Sequence, residues 1–138
     1  MPGIRHAVNG AAALLVAFFL ATGPVAATGQ IICTATDVSG AAIDILVGRL
    51  PVLSVISATA TDGIETWSTH AIGNQHPIVF GQGIADDSRI IVDFTDPNIE
   101  RIVISLRLFQ ESGDKSYAEA GVLSFEGGSV FPVQCENG

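Results

Sequence analysis

The stretch RIIVDFTDPNIERIVISLRLFQ, residues 89–110, decides the fold class, because its second half fits a helix as well as a strand. The first half, RIIVDFT (89–95), carries an apolar residue at every second position from Ile90 to Phe94, and this period of two predicts a strand. Ile90, Val92 and Phe94 would then face the interior. If the second half is also a strand, the domain is all-β.

Residues 96–110 carry signals for both structures. Asp96 before Pro97 is a good helix start, and the apolar residues that follow also recur at helical spacing. Apolar side chains alternate along the same segment as they would in a strand: Ile102, Ile104, Leu106 and Leu108. Because β-branched residues dominate here, the strand is favoured. We therefore expect one short helical turn over 96–100, followed by a strand over 101–110.

The rest of the chain breaks into short segments rich in Ile, Val, Thr and Phe, separated by Gly, Asp, Asn and Pro. Such spacing is typical of an antiparallel all-β domain. The further predicted strands are 30–37, 42–48, 52–61, 64–70, 78–85, 116–126 and 131–136. Asp62-Gly63 is the strongest hairpin signal among the turns. We expect an antiparallel meander of eight or nine strands.

The two cysteines, Cys33 and Cys135, lie in the first and last predicted strands. An even pair in an exported protein usually forms a disulfide. Two free thiols or a two-ligand metal site are the alternatives, but the pair has no CxxC spacing and no nearby histidine. A meander whose ends meet closes on itself, so we expect an eight-stranded barrel or sandwich. Its interior would be nearly filled, or would hold one small ligand.

The N-terminus, residues 1–27, is typical of an export signal. Arg5 opens it, an apolar run of 11 residues follows over 11–21, and small residues precede a cleavage site after Ala27. The run is short of the roughly 20 residues that span a bilayer, which disfavours an uncleaved anchor. Ile32 before Cys33 disfavours a lipid anchor. We expect a periplasmic or secreted protein whose single β domain covers 28–138.

The charge of the processed chain is strongly negative. Residues 28–138 contain all 14 acidic residues but only five of the six basic ones, a net charge of −9. Nucleic acid and anionic membrane surfaces are then unlikely partners, because both need a positive protein surface. A cationic protein or a metal ion fits better. The alternative is that the charge only maintains solubility.

No catalytic or metal-binding constellation emerges from the spacing of the polar residues. His70 and His76 share one predicted loop and would need Asp86 or Asp87 to complete a metal site, but no third ligand is set by spacing. The chain has no GxSxG motif, and oxidised cysteines cannot act as nucleophiles. We therefore predict no catalytic residues, no metal and no cofactor.

Four acidic residues and the single tryptophan are the candidate partner-binding residues: Asp86, Asp87, Asp93, Asp96 and Trp67. The carboxylates lie within 11 residues, on a predicted strand and the turns at its two ends. A strand of seven residues spans roughly 20 Å, so one calcium ion cannot join both ends. Turn formation and helix capping are the alternative roles for the acids, and core packing is the alternative for Trp67.

These features predict a small exported, non-catalytic β-domain that binds another protein, such as an inhibitor of a cationic envelope enzyme. The alternative is a carrier that holds a small apolar ligand inside the barrel. Interior volume separates the two hypotheses, because a ligand needs a pocket of about 300 Å³ or more.

Overall fold

A computed structural model describes residues 29–137, and all of its regular elements are strands. The predicted export signal and its cleavage site after Ala27 lie outside the described residues. No helix in this range is long and apolar enough to cross a membrane. The ten strands are β1 Gly29–Ala35, β2 Ala42–Gly48, β3 Ser54–Thr61, β4 Thr66–Ser68, β5 His76–Pro77, β6 Val79–Ala85, β7 Arg89–Thr95, β8 Ile102–Ser112, β9 Tyr117–Phe125 and β10 Val130–Asn137.

All ten strands belong to one sheet, in the order β5-β4-β3-β2-β1-β10-β9-β8-β7-β6. Neighbouring strands are antiparallel except for the short parallel pair of β4 and β5. The sheet thus consists of two five-strand meanders, β1–β5 and β6–β10, which join where the first strand pairs with the last. It closes nearly into a barrel, so the predicted all-β, barrel-like class is confirmed.

The two outermost strands of the sheet, β5 and β6, are joined through the chain itself. Only Ile78 separates them; its backbone N–H donates to the Ser68 carbonyl at 3.1 Å, and its side chain is buried. Across the same seam, a Cβ built on Gly83 would lie 2.6 Å from Cδ2 of Leu53. A covalent link and side-chain packing therefore bring the open edges together.

The interior of the barrel is filled by the apolar faces of the strands. The three predicted inward residues of β7 are confirmed, because Ile90, Val92 and Phe94 are all buried. The largest side chains with almost no exposed surface are Phe94, Ile43, Ile45, Ile78, Ile104, Leu106, Leu108 and Leu123. This packing fixes the shape of the sheet.

Cys33 and Cys135 form the predicted disulfide. They are direct cross-strand partners in the ladder between β1 and β10, and their Cα atoms are 4.0 Å apart. The bond therefore fastens the junction of the two meanders, and it is compatible with an oxidising compartment.

The predicted helical turn over 96–100 is wrong, because a tight turn leads from β7 directly into β8. The N–H of Ile99 donates to the Asp96 carbonyl at 2.9 Å. Oδ1 of Asp96 then accepts the N–H groups of Glu100 and Arg101, at 2.9 and 2.8 Å. Since the Asp96 side chain binds these backbone groups and Ile99 has a φ of 59°, no helix can propagate.

The strand count and two predicted faces also differ from expectation. The ten strands exceed the predicted eight or nine, because residues 76–77 add a short strand beside β4. Register shifts in the β6–β7 ladder near Gly81 and in the β7–β8 ladder beside Thr95 reverse the alternation. As a result Ile102 is exposed although Ile104, Leu106 and Leu108, with which it alternates in the sequence, are buried, and Ile84 is exposed although Ile78 is buried.

Candidate protein-binding site

The four acidic candidates do not form one surface. Asp86 and Asp87 lie in the turn between β6 and β7, while Asp96 lies in the turn at the other end of β7. Asp93 lies within β7, between the two turns. A partner that contacts both turns would have to span roughly the 20 Å length of the strand.

The Asp86 carboxylate stabilises the turn in which it lies. Its Oδ1 accepts the N–H groups of Ser88 and Arg89, both at 2.9 Å, and Nε of Arg89 lies 3.0 Å from Oδ2. The hydrogen bonds from Ser88, with a smaller contribution from Arg89, lower the pKa of Asp86 to about 2. Asp86 is thus ionised at neutral pH and already committed to turn formation.

Asp93 is buried in a polar network on the outer face of the sheet. Its carboxylate accepts hydrogen bonds from Gln82 at 2.6 Å and Ser105 at 2.7 Å, and Nη1 of Arg107 lies 2.7 Å away. Burial raises the pKa of Asp93, but these three donors together lower it below its ordinary value of 3.8. The negative charge of Asp93 is therefore compensated by Arg107, and the network links the strands that form the wall of the barrel.

Trp67 packs against the core from β4. Its ring centroid is 4.9 Å from that of Phe125 and 5.4 Å from that of His76, with tilted planes in both pairs. The side chain is only partly buried. The exposed His76 packs against it, so the two rings lie close together at this part of the surface.

A depression of about 240 Å³ lies on the outer surface beside Asp96, where β6, β7 and β8 meet. It is lined by Gly81, Gln82, Asp93, Thr95, Ile99 and Ile102. A larger residue at position 81 would make its neighbours shift, because an added Cβ would lie 2.9 Å from Cγ2 of Thr95 and 3.1 Å from the Asp93 carbonyl oxygen. Ile99 and Ile102 form its exposed apolar wall, at 71% and 52% exposure.

Two acidic residues, Asp96 and Glu100, lie in the turn that contributes Ile99 to this depression. The N–H of Arg101 lowers the pKa of Asp96, with a smaller contribution from that of Glu100, so Asp96 is charged at neutral pH. Glu100 is exposed next to it. The neighbouring Arg101 is bound by Glu126, with Nε 2.9 Å from Oε1. Arg101 is therefore paired with Glu126 and also acts on Asp96 through its charge, whereas Glu100 forms no ion pair with Lys or Arg within residues 29–137.

The histidines do not meet the acids that a shared metal site would need. Nε2 of His76 lies 3.5 Å from the Glu65 carboxylate, and Nδ1 of His70 lies 3.1 Å from the Thr69 hydroxyl. The length of β6 separates His76 from Asp86. Within residues 29–137, no three side chains of His, Cys, Asp or Glu are grouped so that they could hold a metal ion.

Ser68 is likewise not paired with an imidazole. Its hydroxyl oxygen accepts the backbone N–H of His70 at 3.1 Å and lies 3.3 Å from the Thr59 hydroxyl. These contacts tie the end of β4 to β3 and to the following loop. They leave Ser68 in a structural role.

Sequence reasoning found Asp96 but missed the depression beside it. The register shifts that form its wall depend on neighbouring strands, and the conformation of Ile99 gives no sequence signal beyond the Asp-Pro-Asn turn that precedes it. Searches of protein-family models, curated proteins and solved structures found no match to this chain.

Proposed function

We propose that the chain is an exported, non-catalytic β-domain that binds a cationic protein. The distribution of surface charge is the observation that carries this proposal. Residues 29–137 contain 14 acidic and five basic side chains, and three of the basic ones are in ion pairs: Arg89 with Asp86, Arg101 with Glu126 and Arg107 with Asp93. The remaining field is negative and would attract a positively charged partner.

The packed interior favours a protein partner over a small apolar ligand. Phe94, Leu106 and Leu123 have no exposed surface and occupy the middle of the barrel. A depression of about 560 Å³ is open and lies at the end that carries Asp86 and Arg89. Charged groups in its lining are a poor match for an apolar ligand.

Export is part of the proposal. A signal cleaved after Ala27 would deliver the domain to the periplasm or the outside medium, where the Cys33–Cys135 disulfide can form. Cationic envelope enzymes would be within reach in either place. Inhibition of such an enzyme is the most specific form of this function.

Capture from native envelope extract tests the proposal. The processed protein is immobilised and the extract applied at about 10 mM salt, where charges act over about 30 Å, and then at 1 M salt, where they act over about 3 Å. We expect a specific basic protein that is retained at low salt and released at high salt. Failure to retain any specific protein, or retention that salt does not change, would overturn the proposal.

A further inference from the structure

We propose that the depression between β6, β7 and β8 receives one apolar side chain of the partner, with a Lys or Arg of the partner adjacent to it. The proposal rests on the proposed function and identifies the part of the surface that would perform it. Four observations support the proposal: the backbone conformation of Ile99, the volume of the depression, the hydrogen bonds that already occupy the Asp93 carboxylate at its floor, and the acidic residues near Ile99.

Ile99 has a backbone conformation that its side chain disfavours. At a φ of 59°, the Cβ of an L residue crowds the following carbonyl oxygen, and a β-branched residue there is a genuine outlier. Glycine or asparagine would adopt this conformation with less strain. The Ile99 side chain is also 71% exposed, so core packing does not compensate for the strain. Burial of the Ile99 side chain against a partner would compensate for this strain.

The volume suits a side chain better than a free ligand. Pockets for small organic molecules usually measure about 300–1,000 Å³, whereas this depression measures about 240 Å³. It corresponds to roughly eight water molecules at about 30 Å³ each. A single Leu, Phe or Met side chain projecting from a protein surface would occupy it.

The floor favours an apolar group over an ammonium or guanidinium group. Among residues 29–137, the Asp93 carboxylate is the only charged group that lines the depression, and it is already bound by Gln82, Ser105 and Arg107. A cation placed there would lose its water without gaining a free anion. The surface available to an occupant is therefore the apolar wall formed by Ile99 and Ile102, which suits an apolar side chain.

The acidic residues near Ile99 place the partner's cation beside that apolar group. Glu100 follows Ile99 directly and Asp96 lies three residues before it, and no ion pair with Lys or Arg is formed by Glu100 within residues 29–137. The nearby Arg101 is compensated by Glu126. An adjacent Lys or Arg would therefore meet the Glu100 carboxylate and, beside it, the Asp96 carboxylate, on which the charge of Arg101 also acts.

Short peptides test the inference directly. The ¹⁵N-labelled processed protein is titrated with N-acetyl-Phe-Arg-amide, with N-acetyl-Phe-Glu-amide and N-acetyl-Gly-Arg-amide as controls. We expect amide shifts to cluster at residues 81, 82, 95 and 99–102, and at least tenfold weaker binding of either control. Absence of shifts, shifts located elsewhere, or equal binding of a control would overturn the inference.

The variant Ile99→Asn separates binding from folding. Because asparagine tolerates the left-handed conformation, we expect Tm to rise by about 4 °C or more while the shifts with Phe-Arg fall at least tenfold. Ile64→Asn is the matched control, since Ile64 is 93% exposed in another turn; it should bind the peptide as the wild type does. Wild-type binding by Ile99→Asn would overturn the inference.

The same variants distinguish this inference from the broader proposal. If wild type and Ile64→Asn capture a basic protein from the envelope extract and Ile99→Asn does not, both are supported. If Ile99→Asn captures it equally well, the inference fails and the proposed function stands. If wild type captures nothing, the proposed function fails, and the peptide titration still decides whether this depression recognises an apolar side chain beside a cation.

Discussion

Nη1 of Arg107 lies 2.7 Å from Oδ1 of Asp93 on the outer face of the barrel, yet the Asp93 side chain is only 1% exposed. Arg107 covers the carboxylate and also donates to the carbonyls of Val92 and Leu106, at 3.3 and 2.9 Å. The pair thus joins β7 to β8 through the Asp93 carboxylate, which is almost inaccessible to water. Among the ion pairs of residues 29–137, we therefore expect this one to contribute most to stability.

Arg107→Gln should destabilise the domain by about 2–4 kcal/mol, because a buried carboxylate would lose its compensating charge. Arg101→Gln is the matched control. Its partner Glu126 is exposed, so loss of the Arg101–Glu126 ion pair should lower the free energy of unfolding by no more than about 1 kcal/mol. Urea unfolding measures both free energies. Equal losses for the two variants would show that the Asp93 network does not depend on Arg107.

Stability should fall in acid, and Asp86 should account for part of the loss. Its pKa is about 2 in the folded chain against an ordinary value of 3.8, so its contribution is complete above about pH 4 and disappears as the pH falls through about 2. The difference in Tm between wild type and Asp86→Asn should therefore be largest at neutral pH and vanish near pH 2.

Asp87→Asn is the control for that pH series, because it removes one negative charge from the same turn without touching the hydrogen bonds of Asp86. Its Tm should follow the wild-type curve. A difference between wild type and Asp86→Asn that stays constant down to pH 2 would contradict the assigned role of the Asp86 charge.

Replacing both cysteines by alanine should lower the free energy of unfolding by about 3–5 kcal/mol. The disulfide closes a loop of 102 positions, and the chain-entropy model assigns about 4–5 kcal/mol to a loop of this length. Alanine avoids placing a hydroxyl at the buried Cys33 site. Guanidinium unfolding of the oxidised wild type and the double variant measures the change; a difference below 1 kcal/mol would contradict it.

Gly121→Ala should disrupt the pairing of β8 and β9. A Cβ at Gly121 would lie 1.9 Å from the Arg107 carbonyl oxygen, and backbone must move to admit it, at a cost of about 3 kcal/mol or more. Gly113→Ala is the control, because its Cβ would meet nothing closer than 3.6 Å. Thermal unfolding of both variants checks the prediction, and a Gly121→Ala variant as stable as Gly113→Ala would refute the close approach.

Local properties of the sequence determine most of the strands. The predicted segments 42–48 and 89–95 coincide with β2 and β7, because alternating apolar residues and adjacent turn residues act over a few positions. The disulfide was equally predictable, since the chain holds one pair of cysteines and places one in each terminal strand.

The faces of Ile84 and Ile102 could not be predicted in this way. A period of two assigns a face only while the ladder keeps its register, and register shifts interrupt the ladders on both sides of β7. The position of such a shift depends on how the partner strand packs, which alternation along one strand does not record.

Composition and neighbouring residues therefore predict the all-β class, most of the strands, the disulfide between the terminal strands and the negative charge. Only the tertiary structure decided that Asp93 is buried beside Arg107, that Ile99 is strained and exposed, and that an apolar depression lies between them. These features arise where separate strands meet, and they depend on register and closure that no single segment specifies.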